Sequence, residues 1–146
     1  MAAILHDVGK VTVPDHVLRK REPLTEREWE AIKRSPVRGA EMVARIQGLE
    51  EIVPWIRHSH EHLDGSGYPD GLSGDAIPLS ARILRIADVF DALTTARSYR
   101  RRLTPREALE LMEDDVGSFD PDVFALFKEI FPEIVGTAEA AVVQMR

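Results

Sequence analysis

The 146-residue sequence contains no cysteine, which excludes disulfides and thiolate metal sites and leaves the redox compartment open. No apolar run approaches the roughly 18 residues that a membrane-spanning helix needs. The first ten residues, MAAILHDVGK, lack the basic region and the long apolar core of a signal peptide, so a cytoplasmic location is expected by default. Basic residues are too few to balance the acidic ones, and the net charge of −6 disfavours a long nucleic acid as ligand.

Hydrophobic residues make up 44% of the sequence and charged residues 30%, which is typical of one globular domain. We expect this domain to occupy residues 1–132 and a weakly patterned C-terminal tail to follow at residues 133–146. The acidic balance does not exclude a small anionic ligand, because charges beyond about 8 Å are largely screened and local cations decide. The densest local group of cations is the segment RSYRRRL, residues 97–103.

Nearly every segment has a helical pattern, and the predicted fold class is all-α. Thr25 with Glu28, and Thr104 with Glu107, have the spacing of capping boxes at helix starts. The predicted helices cover residues 1–8, 25–34, 36–48, 49–61 (interrupted or kinked near Pro54) and 79–95, followed by helices that begin at residues 105 and 121. The most apolar of them, residues 79–95, should be central. Residues 64–80 form a long Gly/Pro-rich loop, and loops of this length are usually functional or disordered.

His6 and Asp7 are the first candidate metal ligands. Adjacent residues on a helix point about 100° apart, so both reach one ion only where the helix turns or ends, and Gly9 supplies such an end. Nitrogen and oxygen donors without sulfur suit Fe, Mn, Zn or Ni. Lys10, one turn beyond His6, adds a cation where a phosphate could lie. The alternative is a histidine that satisfies the carbonyl groups at a helix C-terminus.

Asp88 lies within the apolar segment RILRIADVFDAL. Ionised carboxylates are rarely buried unless they are paired or bound to a metal. Asp91 and Thr95 follow at i+3 and i+7 and give this helix one polar stripe. The alternative role for Asp88 is a salt bridge with Arg82 or Arg85.

The segment RHSHEHLDGSGYPDG, residues 57–71, has three of the five histidines of the chain and three glycines. His58 and His62 have the i, i+4 spacing of one helical face and are a possible metal-binding pair, although a solvated face is the favoured interpretation. His60 points elsewhere. Gly65 and Gly67 permit positive φ angles and close backbone approach, and the alternative for the turn is a plain connection between helices.

Four segments taken together resemble the HD-GYP family, the bacterial branch of the HD phosphohydrolase superfamily. They are LHDVGK at 5–10, the Pro36–Gly39 spacing, HEHLDGSGYP at 60–69 and ARILRIADVFDALTTARSYR at 81–100, and the resemblance covers residues 4 to about 127. It implies an HD-type helical bundle in which the Gly/Pro-rich loop (the GYP loop) lies beside a metal site. It also implies a metal-dependent phosphodiesterase that hydrolyses the bacterial second messenger cyclic di-GMP in signal transduction.

The resemblance also implies a role for individual residues. The metal ligands would be His6, Asp7, His60 and Asp88. Lys10 would contact the scissile phosphate and act with Asp7 in catalysis by metal-activated water. The dinucleotide would contact Asp91, Arg97, Arg100 and Tyr68 in addition to Lys10. Glu61 and Asp64 would orient the ligands from the outer shell.

Two serines depart from the family pattern. Ser35 and Ser59 stand where the family has histidines that help bind a second metal ion, and hydroxyl groups are weak ligands beside imidazole. A further family histidine lies upstream on a helix for which this chain has no residues, so the domain is expected to lack the family's first helix or helices. We therefore expect at most one tightly bound divalent ion, Fe, Mn or similar, and weak hydrolysis of cyclic di-GMP.

Two other functions are compatible with this sequence. One is a catalytically degenerate domain that binds a nucleotide or a partner protein in signalling, and the other is a phosphohydrolase that acts on a different nucleotide with one metal ion. The expected partners are cyclic di-GMP or a related small nucleotide and signalling proteins that bind the GYP loop. Oligomeric state and attached sensory domains are left open.

Overall fold

The computed structural model describes residues 1–95, 102–115 and 117–144, with side chains described as far as residue 136. This part of the chain is helical, and it contains no strand beyond one isolated bridge between Asp64 and Ser73. The all-α prediction is therefore confirmed. The α-helices are α1 (Ala2–Leu5), α2 (Asp15–Leu18), α3 (Glu26–Lys33), α4 (Ser35–Val43), α5 (Val53–Arg57), α6 (Leu79–Thr94), α7 (Pro105–Asp114) and α8 (Pro121–Gln144). Three 3₁₀-helices lie at Val8–Thr12, Glu50–Ile52 and Gly74–Ala76.

Both predicted capping boxes are present at helix N-termini. The Thr25 hydroxyl accepts a hydrogen bond from the backbone N–H of Glu28, whose carboxylate accepts one from the N–H of Thr25. Thr104 and Glu107 repeat the arrangement at the start of α7. Each box satisfies two N–H groups that have no partner within the helix, so local sequence stabilises both helix starts.

Three predicted helices are shorter in the structure. The first ends at Leu5 rather than at Val8, and a 3₁₀-helix follows it. The helix that begins near Pro36 ends at Val43 instead of Gly48. The segment predicted as one helix over residues 49–61 is a 3₁₀-helix followed by α5, which ends at Arg57. Pro54 lies in the first turn of α5, where its missing N–H is not needed, so it starts a helix rather than kinking one.

The core has two hydrophobic clusters. The larger contains buried residues of α6 and α7 together with Phe119, and the aromatic residues of α8 pack against it. The smaller contains Val43, Ile52 and Ile56 at the junction of α4 and α5. Helix α6 is central, because it contacts α5, α7 and α8, although Ile83 on its outer face is 50% exposed.

None of the described helices combines the length and the low charge that crossing a membrane requires.

Helix α8 continues through Pro132 to Gln144. The proposed boundary between the domain and its tail, at residues 132 and 133, therefore falls inside a helix. Phe127 and Phe131 of this helix contact the ring of Phe90 on α6, so the aromatic contacts of α8 with the domain lie before the boundary.

The 3₁₀-helix Val8–Thr12 packs directly on the backbone of α4. A Cβ atom added to Gly9 would overlap the carbonyl oxygen of Ser35 and lie 2.6 Å from the backbone nitrogen of Gly39. Only a residue without a side chain permits this approach. The contact fixes the position of His6 and Asp7, the residues immediately before the 3₁₀-helix, relative to α4.

Replacing Gly9 by alanine should lower the free energy of unfolding by about 3 kcal/mol or more, because two backbones would have to separate. The measurement is urea unfolding followed by circular dichroism. Gly136→Ala is the control, since a Cβ at that exposed helical position meets nothing within 4 Å and should change stability by about 1 kcal/mol or less, in the stabilising direction. Equal effects of the two substitutions would show that the close approach at Gly9 is unimportant.

Candidate functional site

Four side chains named as candidate metal ligands are linked in pairs through His6 and Asp88. The Nε2 atom of His6 lies 3.3 Å from Oδ1 of Asp88 and 3.6 Å from Oδ1 of Asp7. The Nδ1 atom of His60 lies 4.0 Å from Oδ2 of Asp88. His6 and Asp7 occupy the break between α1 and the following 3₁₀-helix, and this change of direction lets adjacent side chains face the same point. The group therefore combines two imidazoles with two carboxylates.

Asp88 forms neither of the salt bridges considered as its alternative role. Arg82 donates to Asp120 at 2.6 Å, and Arg85 donates to His62 at 2.8 Å. Burial tends to raise the pKa of Asp88, but the hydrogen bond with His6 and the nearby charges hold it below its usual range. Asp88 is therefore an ionised carboxylate at neutral pH, and its close partners are the two histidines.

The pKa values of the two histidines of the group are shifted in opposite directions. Nδ1–H of His6 donates to the carbonyl oxygen of Ala3 at 2.9 Å, which satisfies a helix carbonyl and leaves Nε2 to face the carboxylates. The hydrogen bond with Asp88 is the main cause of a raised pKa for His6. Burial, by contrast, lowers the pKa of His60 to about 4, so the His60 ring is neutral at pH 7. A neutral imidazole is the form that binds metal ions.

Asp7 provides the best test of whether a cation fits the group. Its Oδ2 atom accepts a hydrogen bond from Nζ of Lys10 at 2.7 Å. Its Oδ1 atom is buried and has no hydrogen-bond donor among the described residues. A buried carboxylate oxygen without a partner is costly, and a bound divalent ion supplies the missing positive charge. Two imidazole and two carboxylate side chains suit Fe, Mn or Zn.

Of the remaining residues that are predicted to contact the substrate, some lie within the described part of the chain and some do not. Lys10 lies at the edge of the group with its ammonium on Asp7. Asp91 is exposed and accepts a hydrogen bond from the hydroxyl of Thr95 at 3.3 Å, which accounts for two members of the predicted polar stripe. Arg97 and Arg100 lie outside the described residues.

Ser35 and Ser59 are both buried and both bonded to their own backbone. The hydroxyl of Ser35 donates to the carbonyl oxygen of Ile32 at 2.8 Å, and that of Ser59 donates to the carbonyl oxygen of Ile56 at 2.9 Å. Each hydroxyl group therefore donates its proton to the backbone carbonyl of the residue three positions earlier in the chain. Neither serine has a contact with the carboxylates of the ligand group.

The GYP loop folds back on the residue that follows His60. The buried carboxylate of Glu61 accepts hydrogen bonds from the backbone N–H groups of Asp70 at 2.8 Å and Leu72 at 3.1 Å. A Cβ atom on Gly67 would overlap the backbone of Glu61, so the predicted close approach occurs there. The loop is thereby tied to the residue next to a candidate ligand and is more than a plain connection.

Tyr68 packs its ring on the ring of His60, with centroids 5.2 Å apart and an interplanar angle of 14°. The ring of Trp29 on α3 meets Tyr68 edge-on at 6.0 Å. Burial raises the pKa of Tyr68 to about 12, so its hydroxyl stays protonated. Tyr68 therefore limits the freedom of the His60 ring from one side.

Asp64 stabilises the turn at the start of the loop. Its Oδ1 atom accepts from the N–H of Ser66 at 2.8 Å, and its own N–H donates to the carbonyl oxygen of Gly117 at 3.0 Å. Gly65 has a φ of +83°, as its place in this turn predicts. Asp64 thus bonds to the turn and to the segment before α8, rather than to the four candidate ligands.

His58 and His62 do not share a helical face, because α5 ends at Arg57 and both residues lie beyond it. The favoured interpretation of a solvated face is also wrong for His58, whose side chain is only 13% exposed. The Nδ1 atom of His58 lies 3.5 Å from Asp70 and 3.9 Å from Glu61. These three form a second group of potential ligands, with one atom from each within 4.8 Å of the others. Both oxygens of Asp70 accept from Arg57, at 2.7 and 2.8 Å. Sequence spacing alone did not reveal this cluster, because a folded loop separates Asp70 from His58.

Comparison with known proteins places the chain among HD domains, whose family model matches residues 1–123. The cyclic di-GMP phosphodiesterase response regulator RpfG of Xanthomonas campestris is 48% identical over 126 residues, which cover 83% of this chain and 33% of that protein. A cyclic di-GMP phosphodiesterase of Pseudomonas aeruginosa is 40% identical, with 87% of this chain and 31% of that protein covered. The 3'3'-cGAMP-specific phosphodiesterase 1 of Vibrio cholerae is 40% identical, with 85% and 29% covered.

The chain thus spans about a third of the length of the curated relatives that it matches. Among solved structures, an HDG"Y"P protein from Bdellovibrio bacteriovorus matches with a TM-score of 0.68 at 23% identity. That match covers 90% of this chain and 42% of the other. At this identity the likeness concerns the fold, and it agrees with the predicted HD-type helical bundle.

Replacing Glu61 by alanine should lower the free energy of unfolding by about 3 kcal/mol, because two backbone N–H groups would lose their acceptors in a buried place. Urea unfolding measures this loss. Glu51→Ala, at an exposed position, should change stability by about 0.5 kcal/mol or less. A Glu61 variant as stable as the Glu51 variant would mean that the carboxylate does not hold the loop.

Proposed function

The chain belongs to the HD domain family, in its HD-GYP branch, and from this membership we propose that it is a metal-dependent phosphodiesterase that hydrolyses cyclic di-GMP or a related cyclic dinucleotide. The observation that carries the proposal is the series of close pairs Asp7–His6, His6–Asp88 and Asp88–His60, together with the buried Oδ1 atom of Asp7, which has no hydrogen-bond donor among the described residues. Such a group has the composition of a metal site and lies in the segments by which the chain matches its relatives.

The named relatives support hydrolysis over a degenerate binding module. Two of them are called cyclic di-GMP phosphodiesterases and a third is called a 3'3'-cGAMP phosphodiesterase. Their substrates are cyclic dinucleotides with two phosphodiester groups, and we propose this class for the present chain. A hydrolase for a different nucleotide has no comparable support among the named relatives.

His6, Asp7, His60 and Asp88 would hold the ion, for which Fe or Mn are the proposed identities. When bound, the ion supplies a Lewis acid that neutralises phosphate charge and lowers the pKa of water. His60 and Asp88 have the protonation states that metal binding requires before any ion is bound. Burial keeps His60 neutral, and the hydrogen bond with His6 and the nearby charges keep Asp88 ionised. A proton on Nε2 of His6 would compete with the ion for that atom, which makes metal affinity depend on pH.

Side chains around the proposed ion would orient the substrate. Lys10, held against Asp7, would place its positive charge next to the scissile phosphate. Arg97 and Arg100 remain proposed contacts for the dinucleotide, together with Asp91 and Tyr68. Glu61 and Asp64 would act through the GYP loop, which they tie down on either side of Tyr68.

One tightly bound ion is proposed for this site. The hydroxyl groups of Ser35 and Ser59 donate to backbone carbonyls, and a serine oxygen is a poor replacement for imidazole as a ligand. A second ion would have Asp7 to share and few other donors. The domain boundary at residue 132, the cytoplasmic location, protein partners at the GYP loop and oligomer formation also remain proposals.

Asp88→Asn and His6→Ala should each weaken Mn²⁺ binding at least about tenfold, because each removes a ligand, and loss of mere outer-shell partners already has effects of this size. Isothermal titration of chelator-treated protein with Mn²⁺ measures the affinity, and chromatography of the products measures cyclic di-GMP hydrolysis. His16→Ala is the control, since His16 is exposed and away from the site. Unchanged Mn²⁺ affinity in the Asp88 variant would contradict the proposed ligand set.

The double substitution Ser35→His and Ser59→His should raise both the number of bound ions and the turnover of cyclic di-GMP. It restores imidazole ligands at the two family positions, and two ions form a stronger arrangement for in-line displacement than one. Elemental analysis counts the ions, and product formation gives the turnover. An unchanged ion count and turnover would show that the serines are not what limits the site.

A further inference from the structure

Arg85 is a positively charged side chain on the same face of α6 as Asp88, one turn earlier. Its Nη2 atom donates to Nε2 of His62 at 2.8 Å and lies 3.5 Å from the hydroxyl of Ser118. Its guanidinium carbon lies 5.9 Å from the centre of the Phe119 ring. Arg85 is therefore held in place by neutral groups next to the proposed metal site.

The other cations near the site have carboxylate partners. Lys10 is bonded to Asp7, and Arg57 is bonded to Asp70. Arg82, one turn before Arg85 on α6, is bonded to aspartates in the loop and before α8. Within the described ranges, Arg85 has no ion pair with a carboxylate.

A partly buried guanidinium without a counter-ion needs an explanation. Arginine does not lose its proton in proteins, and burying a charge is costly unless it is paired. The contacts with His62 and Phe119 relieve only part of this cost, because both partners are uncharged. Burial holds the pKa of this guanidinium below its usual range and outweighs the charges of Asp88 and Asp115, which raise that pKa. Asp88 is itself bonded to His6.

The guanidinium has donors left for a ligand. Nη2 is bonded to His62, and Nε is buried without an acceptor. Nη1 has no hydrogen bond with the described residues and is not among the buried unpartnered atoms. Burial is the main cause of the low pKa of His60, and the positive charges of Lys10 and Arg85 lower it further, which agrees with the closeness of Arg85 to the ligand group.

We propose that Arg85 is an anion-binding residue that holds a phosphate group of the substrate through Nη1, beside the ion. This inference rests on the proposed function, which supplies a ligand with two phosphates. A phosphodiester carries about one negative charge, and the planar guanidinium matches the geometry of its oxygens. The bound phosphate provides a directly bonded counter-charge, which none of the described carboxylates provides, and Arg85 adds a cation to Lys10 at the site.

The first test compares Arg85→Gln with Arg82→Gln. Arg85→Gln should raise the KM for cyclic di-GMP about tenfold or more, the usual effect of losing a hydrogen bond to a charged group, with kcat changed less than about threefold. Arg82→Gln removes a paired arginine of the same helix and should lower the melting temperature without changing KM. An unchanged KM in a folded Arg85→Gln variant would overturn the proposal.

The second test uses inorganic phosphate as the probe and requires no turnover. In chelator-treated protein, phosphate should raise the melting temperature of the unmodified chain and of Arg82→Gln, and it should have at most a small effect on Arg85→Gln. Arg85→Lys keeps the charge and should give an intermediate shift, and it replaces Arg85→Gln if that variant does not fold. Equal shifts in all variants would contradict a phosphate contact at Arg85.

The two tests separate this inference from the function on which it rests. If the unmodified chain hydrolyses neither cyclic di-GMP nor 3'3'-cGAMP, the proposed function fails, and the phosphate shift still decides whether Arg85 binds an anion. If hydrolysis is observed with equal KM values in the two glutamine variants, the function stands and the role of Arg85 is wrong. A phosphate shift that depends on Arg85 without an effect on KM would assign the contact to free phosphate rather than to the substrate, and would overturn the substrate contact.

Discussion

The carboxylate of Asp88 is the point where distant parts of the chain meet. Its Oδ1 atom is bonded to His6, 82 residues earlier, and its Oδ2 atom faces His60 in the turn after α5. A carboxylate at this depth is stable as an anion only with positive or hydrogen-bonding partners around it. The geometry of α1, α5 and α6 is therefore tied to one charge, and a site for a cation follows from the same requirement. The close approach at Gly9 and the stack of Tyr68 on His60 hold the partners in position.

Sequence reasoning worked best where the determining interactions are local or carried by a family motif. The two capping boxes lie within four residues each, and both are present as predicted. The four candidate ligands follow from motifs in a known order, and the structure places Asp7 near His6, and both His6 and His60 near Asp88. The HD-type helical bundle, the fold class and the family were likewise predictable, because they depend on patterns that run through most of the chain.

The features that could not be predicted depend on contacts between distant residues. Arg82 and Arg85 were considered as partners of Asp88 because they are close to it in sequence, yet they bond to Asp120 and His62. Because α5 ends at Arg57, His58 and His62 do not lie on one helical face. The sequence near Arg57 contains no signal that predicts this helix end. The bond between Glu61 and the backbone at Asp70 depends on how the loop folds back. Spacing along the chain contains no information about such distances.

The attachment of the GYP loop to Glu61 has a consequence for communication within the molecule. Glu61 follows the candidate ligand His60 directly, while Tyr68 of the loop lies flat on the His60 ring. A protein that binds the loop and shifts it would move this ring, and it would then change the affinity of the site for its ion. Thermodynamic linkage requires the reverse effect by the same factor. Binding of an ion at the candidate site would thus change the affinity of the GYP loop for a protein that binds it.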